Sequence, residues 1–168
     1  MRFRRHPRAE AAPGAPRLLV PFAGAALDPA VLDAALRVAK AEGAVFVPAY
    51  LIIVPLTIAL ESPLKQDVEV ALPTLEALEL EAQRQGVAVD ARLERGRSPR
   101  DALQRLWAAE PFDRILVPVS ADDRAGFSEA DVAWILMRTP TETLALRPAS
   151  SVVRQNGMWP RTTGQVAL

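Results

Sequence analysis

Arg17-Leu18-Leu19-Val20-Pro21 and Arg114-Ile115-Leu116-Val117-Pro118 are nearly the same five residues, met twice in one chain. Each is a short apolar run with a polar start and a closing proline. Unbroken apolarity over so few residues suits a strand buried on both faces, as in a parallel sheet covered by helices. The closing proline is expected to stop pairing and turn the chain out of the sheet. In open parallel sheets ligands bind beyond the carboxyl ends of the strands, where the strand order reverses. The residues after each proline therefore decide what is bound. They are Phe22-Ala23-Gly24-Ala25 and Val119-Ser120-Ala121-Asp122-Asp123, and neither set is catalytic or phosphate-binding.

At 168 residues, half of them hydrophobic, the chain can bury one sizeable core. Twenty basic residues balance twenty acidic ones, so no overall field draws nucleic acid or an anionic membrane. Without cysteine there is no disulfide, thiolate nucleophile or Cys-ligated metal. A cytoplasmic location is the expectation. His6 is the only histidine, which argues against histidine acid/base catalysis and against a multi-histidine metal site.

Two segments imitate other signals. Basic Met1 to Arg8 followed by apolar Leu18 to Leu27 resembles signal-peptide grammar, but Pro21 interrupts the apolar part and Arg114 begins an internal copy of it. Gly43 to Leu60 lacks charge over nearly a membrane span, yet Pro48 and Pro55 lie within it and Val45, Val47, Ile52, Ile53 and Val54 favour a strand.

Along the chain, residues 1–16 read as a basic tail. Arg17 to Phe22 is the first strand. Asp28 and Pro29 open a helix bearing Val31, Leu32, Ala35, Leu36, Val38 and Ala39, and Gly43 stops it. The second strand starts at Ala44 and is expected to end near Ala49 or Leu51, followed by an irregular loop. The next helix carries Leu72, Leu75, Leu78, Leu80 and Ala82, and is expected to begin near Pro73 and to end at Gly86. Val87, Val89, Ala91 and Leu93 alternate with Ala88, Asp90, Arg92 and Glu94, the pattern of a half-exposed strand at a sheet edge. Ser98-Pro99 opens a helix with Leu103, Leu106 and Trp107. After the second copy of the repeat, Ser128 opens another, with Val132, Ile135 and Leu136, that ends at Thr139-Pro140. Thr143 to Leu146 is a last strand, and 149–168 reads as a polar tail. The strict β-α alternation predicts right-handed parallel crossovers with helices on both faces.

Four stretches in this order carry a likeness to a known family: Leu18-Leu19-Val20-Pro21 with Gly24; Gly96-Arg97-Ser98-Pro99 before Ala102-Leu103; Phe112 to Val117; and Thr139-Pro140 with Thr143 to Pro148. Over residues 17–148 the chain resembles the universal stress proteins. The resemblance implies a flavodoxin-like α/β domain with an open five-stranded parallel sheet in the order 3-2-1-4-5. Many members hold ATP through a glycine-rich loop after strand four, where small residues let backbone N–H groups reach phosphates. Here Val119 and Asp122 stand at the first two glycine positions, the third falls near Val132 or Ala133, and Gly126 is the only glycine nearby. Asp122 and Asp123 would set carboxylates beside phosphate. The family's nucleotide-contacting aspartate corresponds to Ala23. The resemblance thus implies the branch without ATP, with a degenerate pocket of Phe22, Ala23, Gly24, Val119, Ser120, Asp122, Asp123 and Gly126.

No cofactor, metal or catalytic residue is expected. Arg124 with its aspartates reads as a solvated loop, and Glu76, Glu79 and Glu81 as a wet helix face. Ser120 lacks a neighbouring base and a nucleophile elbow. Trp107 and Trp134 read as core, and Trp159 as an anchor for a partner or for the domain itself. The arginines at 2, 4, 5 and 8 read as a solvated arm. The run Leu51 to Leu64, with Leu51, Ile53, Leu56 and Ile58, is too apolar to stay in water without cause, and either caps its own sheet or contacts a partner. The resemblance implies a homodimer through the last strand, at Thr143, Ala145 and Arg147. The expected role is that of a non-enzymatic regulatory or scaffold protein without nucleic acid or membrane partners. The alternative is a nucleotide or small-molecule sensor using a modified pocket.

Overall fold

A computed structural model of the chain describes residues 11–24, 27–119 and 127–148. Ser120, Asp122, Asp123, Arg124, Gly126 and Trp159 lie outside those residues, as do most of the expected N-terminal tail and all of the C-terminal one. The elements alternate: β1 (Arg17–Ala23), α1 (Pro29–Glu42), β2 (Val45–Ile53), α2 (Lys65–Arg84), β3 (Arg92–Gly96), α3 (Pro99–Ala109), β4 (Arg114–Pro118), α4 (Glu129–Arg138) and β5 (Glu142–Leu146). All strand pairs are parallel, and the sheet order is β3-β2-β1-β4-β5. The fold is the flavodoxin-like arrangement expected from the sequence.

Period two sorts each strand between two cores. Leu18, Val20 and Phe22 of β1 join Phe46, Tyr50 and Ile52 of β2 under α1 and α2. Leu19 and Ala23 join Val47, Ala49 and Leu51 under α3 and α4. The helices start where the sequence signals them. Asp28 accepts from the Ala30 amide at 2.7 Å. Ser98 accepts from the Asp101 amide at 3.2 Å. Ser128 and Asp131 form a reciprocal capping box.

Three boundaries correct the sequence reading. β2 runs on to Ile53, past the expected end near Ala49 or Leu51. α2 begins at Lys65, so Pro73 lies inside the helix rather than in its first turn. Pro73 faces solvent and removes a single ladder donor, and Leu64, at the cap, makes no side-chain cap bond that a sequence reading could find. The strand expected over Val87 to Leu93 is split into an isolated bridge, Phe46 with Val89, and a ladder that starts at Ala49 with Arg92. Both have the same register. Phe46 donates to Ala88 and accepts from Asp90, so even-numbered β2 residues face β3, and the next donor would be Pro48. A proline in mid-strand therefore interrupts the ladder without ending β2.

The same accounting applies to the repeated prolines. Val45 donates to the Pro16 carbonyl, so odd-numbered β1 residues, Pro21 among them, face β4. Val119 donates to Leu146, so odd β4 residues face β5 and Pro118 faces β1. After Leu19 and Ile115, the next rung between β1 and β4 needs the amides of residues 21 and 118, and both are prolines. Pairing stops at Leu19 with Ile115, although β1 continues to Ala23. Pro21 thus does not end its strand, contrary to the expectation that the closing proline turns the chain out of the sheet. It ends only one of the strand's two ladders.

Candidate binding site at the carboxyl ends of the strands

The order reverses between β1 and β4, so the crevice beyond their carboxyl ends is where a ligand would enter. Pairing along that seam stops at Leu19 and Ile115. The carbonyls of Pro21 and Leu116 point into it with no ladder donor opposite, because the donors' places are taken by Pro118 and Pro21. Restoring one donor measures this. Pro118→Val is expected to add a hydrogen bond to the Pro21 carbonyl, raise stability by about 1 kcal/mol, and protect the new amide from hydrogen exchange. An unprotected amide at 118 would show that the seam is held apart by more than the prolines.

Around the mouth the described side chains are apolar. Phe22 and Ala23 are buried, and the Phe22 ring meets Tyr50 edge-on at 5.3 Å. The Tyr50 hydroxyl donates to the Gly24 carbonyl at 3.0 Å, tying the turn after β1 to β2. Burial and then the charge of Asp67 push this phenol above its usual range, so it stays a donor. Gly24 turns the chain at φ 76°, a conformation that favours glycine. The Val119 amide is bound to Leu146 at 2.8 Å, so it is not turned toward a phosphate. Of the expected pocket, Phe22, Ala23, Gly24 and Val119 are described, and none of them is a nucleophile or a charged group. Among the described residues no cluster of three or more His, Asp or Glu is placed to hold a metal, and no helix is long and apolar enough to cross a membrane.

Two arginines shape the loop beyond β2. Arg97 donates through Nη1 to the carbonyls of Val54 at 3.3 Å, Pro55 and Ile58 at 2.9 Å. Arg95 donates to the carbonyl of Ser62 at 2.9 Å. The loop is therefore built around guanidinium groups, which satisfy carbonyls that an irregular segment would otherwise leave to water. Of the residues expected to form an interface here, Leu51 is corrected: it is 1% exposed and lies in the core under α3, because β2 is longer than expected. Ile53 at 40%, Leu56 at 86% and Ile58 at 38% do reach solvent, while Leu60 and Leu64 turn back onto the core.

The two edges of the sheet differ. On β3 the outward amide of Arg95 is taken by the Glu94 carboxylate at 3.1 Å, and the strand is charged, a blunted edge. On β5 the main-chain groups of Thr143 and Ala145, and in the same alternation Arg147, point away from β4. Ala145 and Arg147 are exposed. Next to this edge, α4 shows Leu136 and Met137 to solvent. Leu136, expected on the helix's apolar stripe with Val132 and Ile135, is therefore exposed rather than packed.

The sequence reading missed a cluster at the opposite, amino ends of the strands. Arg92, expected on the wet side of an edge strand, is 6% exposed. It forks onto Glu110 with Nε–Oε1 at 2.6 Å and Nη2–Oε2 at 2.7 Å, and onto Asp90 at 2.8 Å. Arg17 reaches the same two carboxylates at 3.2 and 3.0 Å and lies over the Phe112 ring. Burial opposes the Arg92 charge, but the Glu110 hydrogen bond and both carboxylates outweigh it and raise its pKa. Between α3 and α4, Trp107 stacks on Trp134 at 5.6 Å, half-buried rather than deep in the core. Arg100 pairs with Asp131 at 2.6 Å. Burial raises the Asp131 pKa, but Arg100 and the Ser128 hydroxyl and amide outweigh it, so the carboxyl is held below its usual range.

No family model matches the chain, and no curated protein matches it. Solved structures do. A protein of the universal stress protein family from Burkholderia pseudomallei superposes with a TM-score of 0.60 at 20% identity, covering 79% of this chain and 96% of that one. A universal stress protein in complex with cAMP gives 0.56 at 22% identity, covering 80% and 98%. A universal stress protein family protein from Arabidopsis thaliana with AMP bound gives 0.56 at 13%, covering 84% and 97%. At these identities the likeness shows the fold, and the fold is that of the universal stress proteins.

Proposed function

We propose that this chain is a non-enzymatic, cytoplasmic regulatory or scaffold protein that acts as a homodimer joined along β5, and that it does not hold ATP at the switch point. The observation that carries this reading is the asymmetry of the edges. β3 is blunted by its own Glu94, whereas among the described residues the outward row of donors and acceptors on β5 stays open beside the exposed Leu136 and Met137. An open strand edge beside an apolar helix face favours pairing with another strand, and the same strand of a second copy satisfies both rows by two-fold symmetry. The absence of ATP is supported by Ala23 and Val119 at the nucleotide positions and by the Val119 amide being bound within the sheet.

Sedimentation and calorimetry test this together. The protein is expected to sediment as a dimer at tens of micromolar, about the range of an ordinary interface. It is expected to give no stoichiometric heat with ATP. Ala145→Pro removes only an outward-facing donor, so it is expected to yield a monomer with an unchanged circular dichroism spectrum. A wild-type monomer, or a dimer indifferent to Ala145→Pro, overturns the β5 interface; micromolar ATP binding overturns the ATP-free reading.

A second reading, a nucleotide or small-molecule sensor, is favoured by the AMP and cAMP found in structures of the same fold. It requires a ligand that tolerates the apolar mouth of Phe22, Ala23 and Val119. A rise in melting temperature with AMP or cAMP distinguishes it.

A further inference from the structure

α2 carries a second apolar stripe that the core does not use. Its buried face is Ala71, Leu75, Leu78 and Ala82. At about 100° per residue, Val70, Pro73, Ala77 and Leu80 fall together on the opposite side of the helix. All are exposed, Val70 at 59% and Leu80 at 48%. Their alternating spacing of three and four residues is that of a helix–helix seam, here about 15 Å long. A helix side that meets only water gains nothing from valine and leucine. Pro73 adds a further feature. It has no amide to answer the Glu69 carbonyl, and the Thr74 hydroxyl is turned to the next carbonyl, that of Val70, at 3.2 Å. The Glu69 carbonyl is thus left beside the seam without its helical donor.

Charge selects the occupant. One flank of the seam is Glu69 and Glu76, continued by Gln83, and the other is Asp67, Thr74 and Glu81. The cations of α2 stand at its two ends: Lys65 in the first turn, and Arg84, which pairs with Glu81 at 3.6 Å. A second copy of the helix is a poor match. Packed in parallel, it would set Glu76 against Glu81. Packed antiparallel about its centre, it would set Glu76 against Glu76 and Glu81 against Asp67. Like charges across a seam oppose association. We propose that the outer face of α2 docks a basic amphipathic helix of another protein, with its apolar side chains on Val70, Ala77 and Leu80 and its lysines or arginines against Glu69, Glu76 and Glu81. A lysine or arginine on that flank also supplies a donor for the Glu69 carbonyl. The proposal rests on the scaffold reading for its role but not on the β5 edge, because α2 packs against β2, in the other half of the sheet.

The probe is a synthetic peptide of about 20 residues, long enough to form helix, with leucine along one seam and lysine on both flanks. Its controls are a scrambled peptide of the same composition and a peptide with glutamate in place of lysine. Titrated into the isotope-labelled full chain, the lysine peptide is expected to bind at tens of micromolar, about the strength of a small contact, and to shift the amide signals of residues 66–84. Leu80→Ser, at an exposed position, is expected to weaken binding about tenfold, and Val70→Ser reads the other end of the same seam. Glu69→Lys with Glu76→Lys is expected to transfer the preference to the glutamate peptide. No binding of the lysine peptide, or equal binding of either control to the unsubstituted chain, overturns the proposal. Shifts of the same signals with protein concentration alone, lost in Leu80→Ser, would make a second copy the occupant and overturn it as well. Peptide binding that survives Ala145→Pro supports the proposal whether or not the chain dimerises along β5, whereas binding lost in that variant places the peptide at β5 and overturns it.

Discussion

Gly96→Ala is expected to lower the stability of this protein by roughly 3 kcal/mol, the upper part of the usual range for overpacking. Gly96 closes β3 beneath the first turns of α3. A Cβ placed on it would lie 2.4 Å from the Ala102 nitrogen and 2.7 Å from its Cα. Those are backbone atoms of a helix, so no side-chain rotation relieves the clash, and α3 must move away from the sheet. Its movement would carry Leu103 and Leu106 out of their core and disturb the neighbouring Arg97, on which the loop after β2 depends. For a domain of this size the change corresponds to a fall of roughly 6–12 °C in melting temperature. Thermal unfolding followed by circular dichroism measures it. A melting temperature within a degree of wild type would mean that α3 does not approach β3 as closely as described.

Arg92→Met is expected to cost about 3–5 kcal/mol, the range for breaking a buried ion pair from one side. The residue joins β3 to the end of α3 through Glu110 and to the approach of its own strand through Asp90. Without the guanidinium, two carboxylates remain at a largely buried position with Arg17 as their shared cation. Glu110→Gln is expected to be milder, because the amide keeps an acceptor for Arg92. Replacing both ends, Arg92→Met with Glu110→Leu, is expected to recover much of the loss, since a well-packed apolar pair is often as stable as a buried ion pair. Denaturant titrations of wild type, Arg92→Met, Glu110→Leu and the double variant form the cycle. Additive losses without recovery in the double variant would show that each residue acts through packing of its own rather than through the pair.

The alternation of elements and the parallel sheet were legible in the sequence because each rests on local signals, whereas the strand order was implied only by the resemblance to the universal stress proteins. The repeated apolar runs are buried on both faces, Asp28, Ser98 and Ser128 cap the helices they precede, and period two assigns β1 to two cores. The apolar run crowded between prolines marked the loop, but whether Ile53, Leu56 and Ile58 cap the sheet or reach solvent was decided by the structure. What only the tertiary structure decided are the matters in which a residue's role depends on its neighbour across the sheet. Leu51 reads as loop and is core, because β2 continues beside β1 and β3 for as long as they offer partners. Arg92 reads as solvated and is buried, because Glu110 and Asp90, 18 residues ahead and two behind, converge on its guanidinium. Pro21 and Pro118 read as two strand ends, yet they are the two missing donors of a single rung. A sequence lists prolines one at a time. Which carbonyl a proline leaves without a donor is decided by register and by the side each residue faces, and these exist only once β1 and β4 lie together.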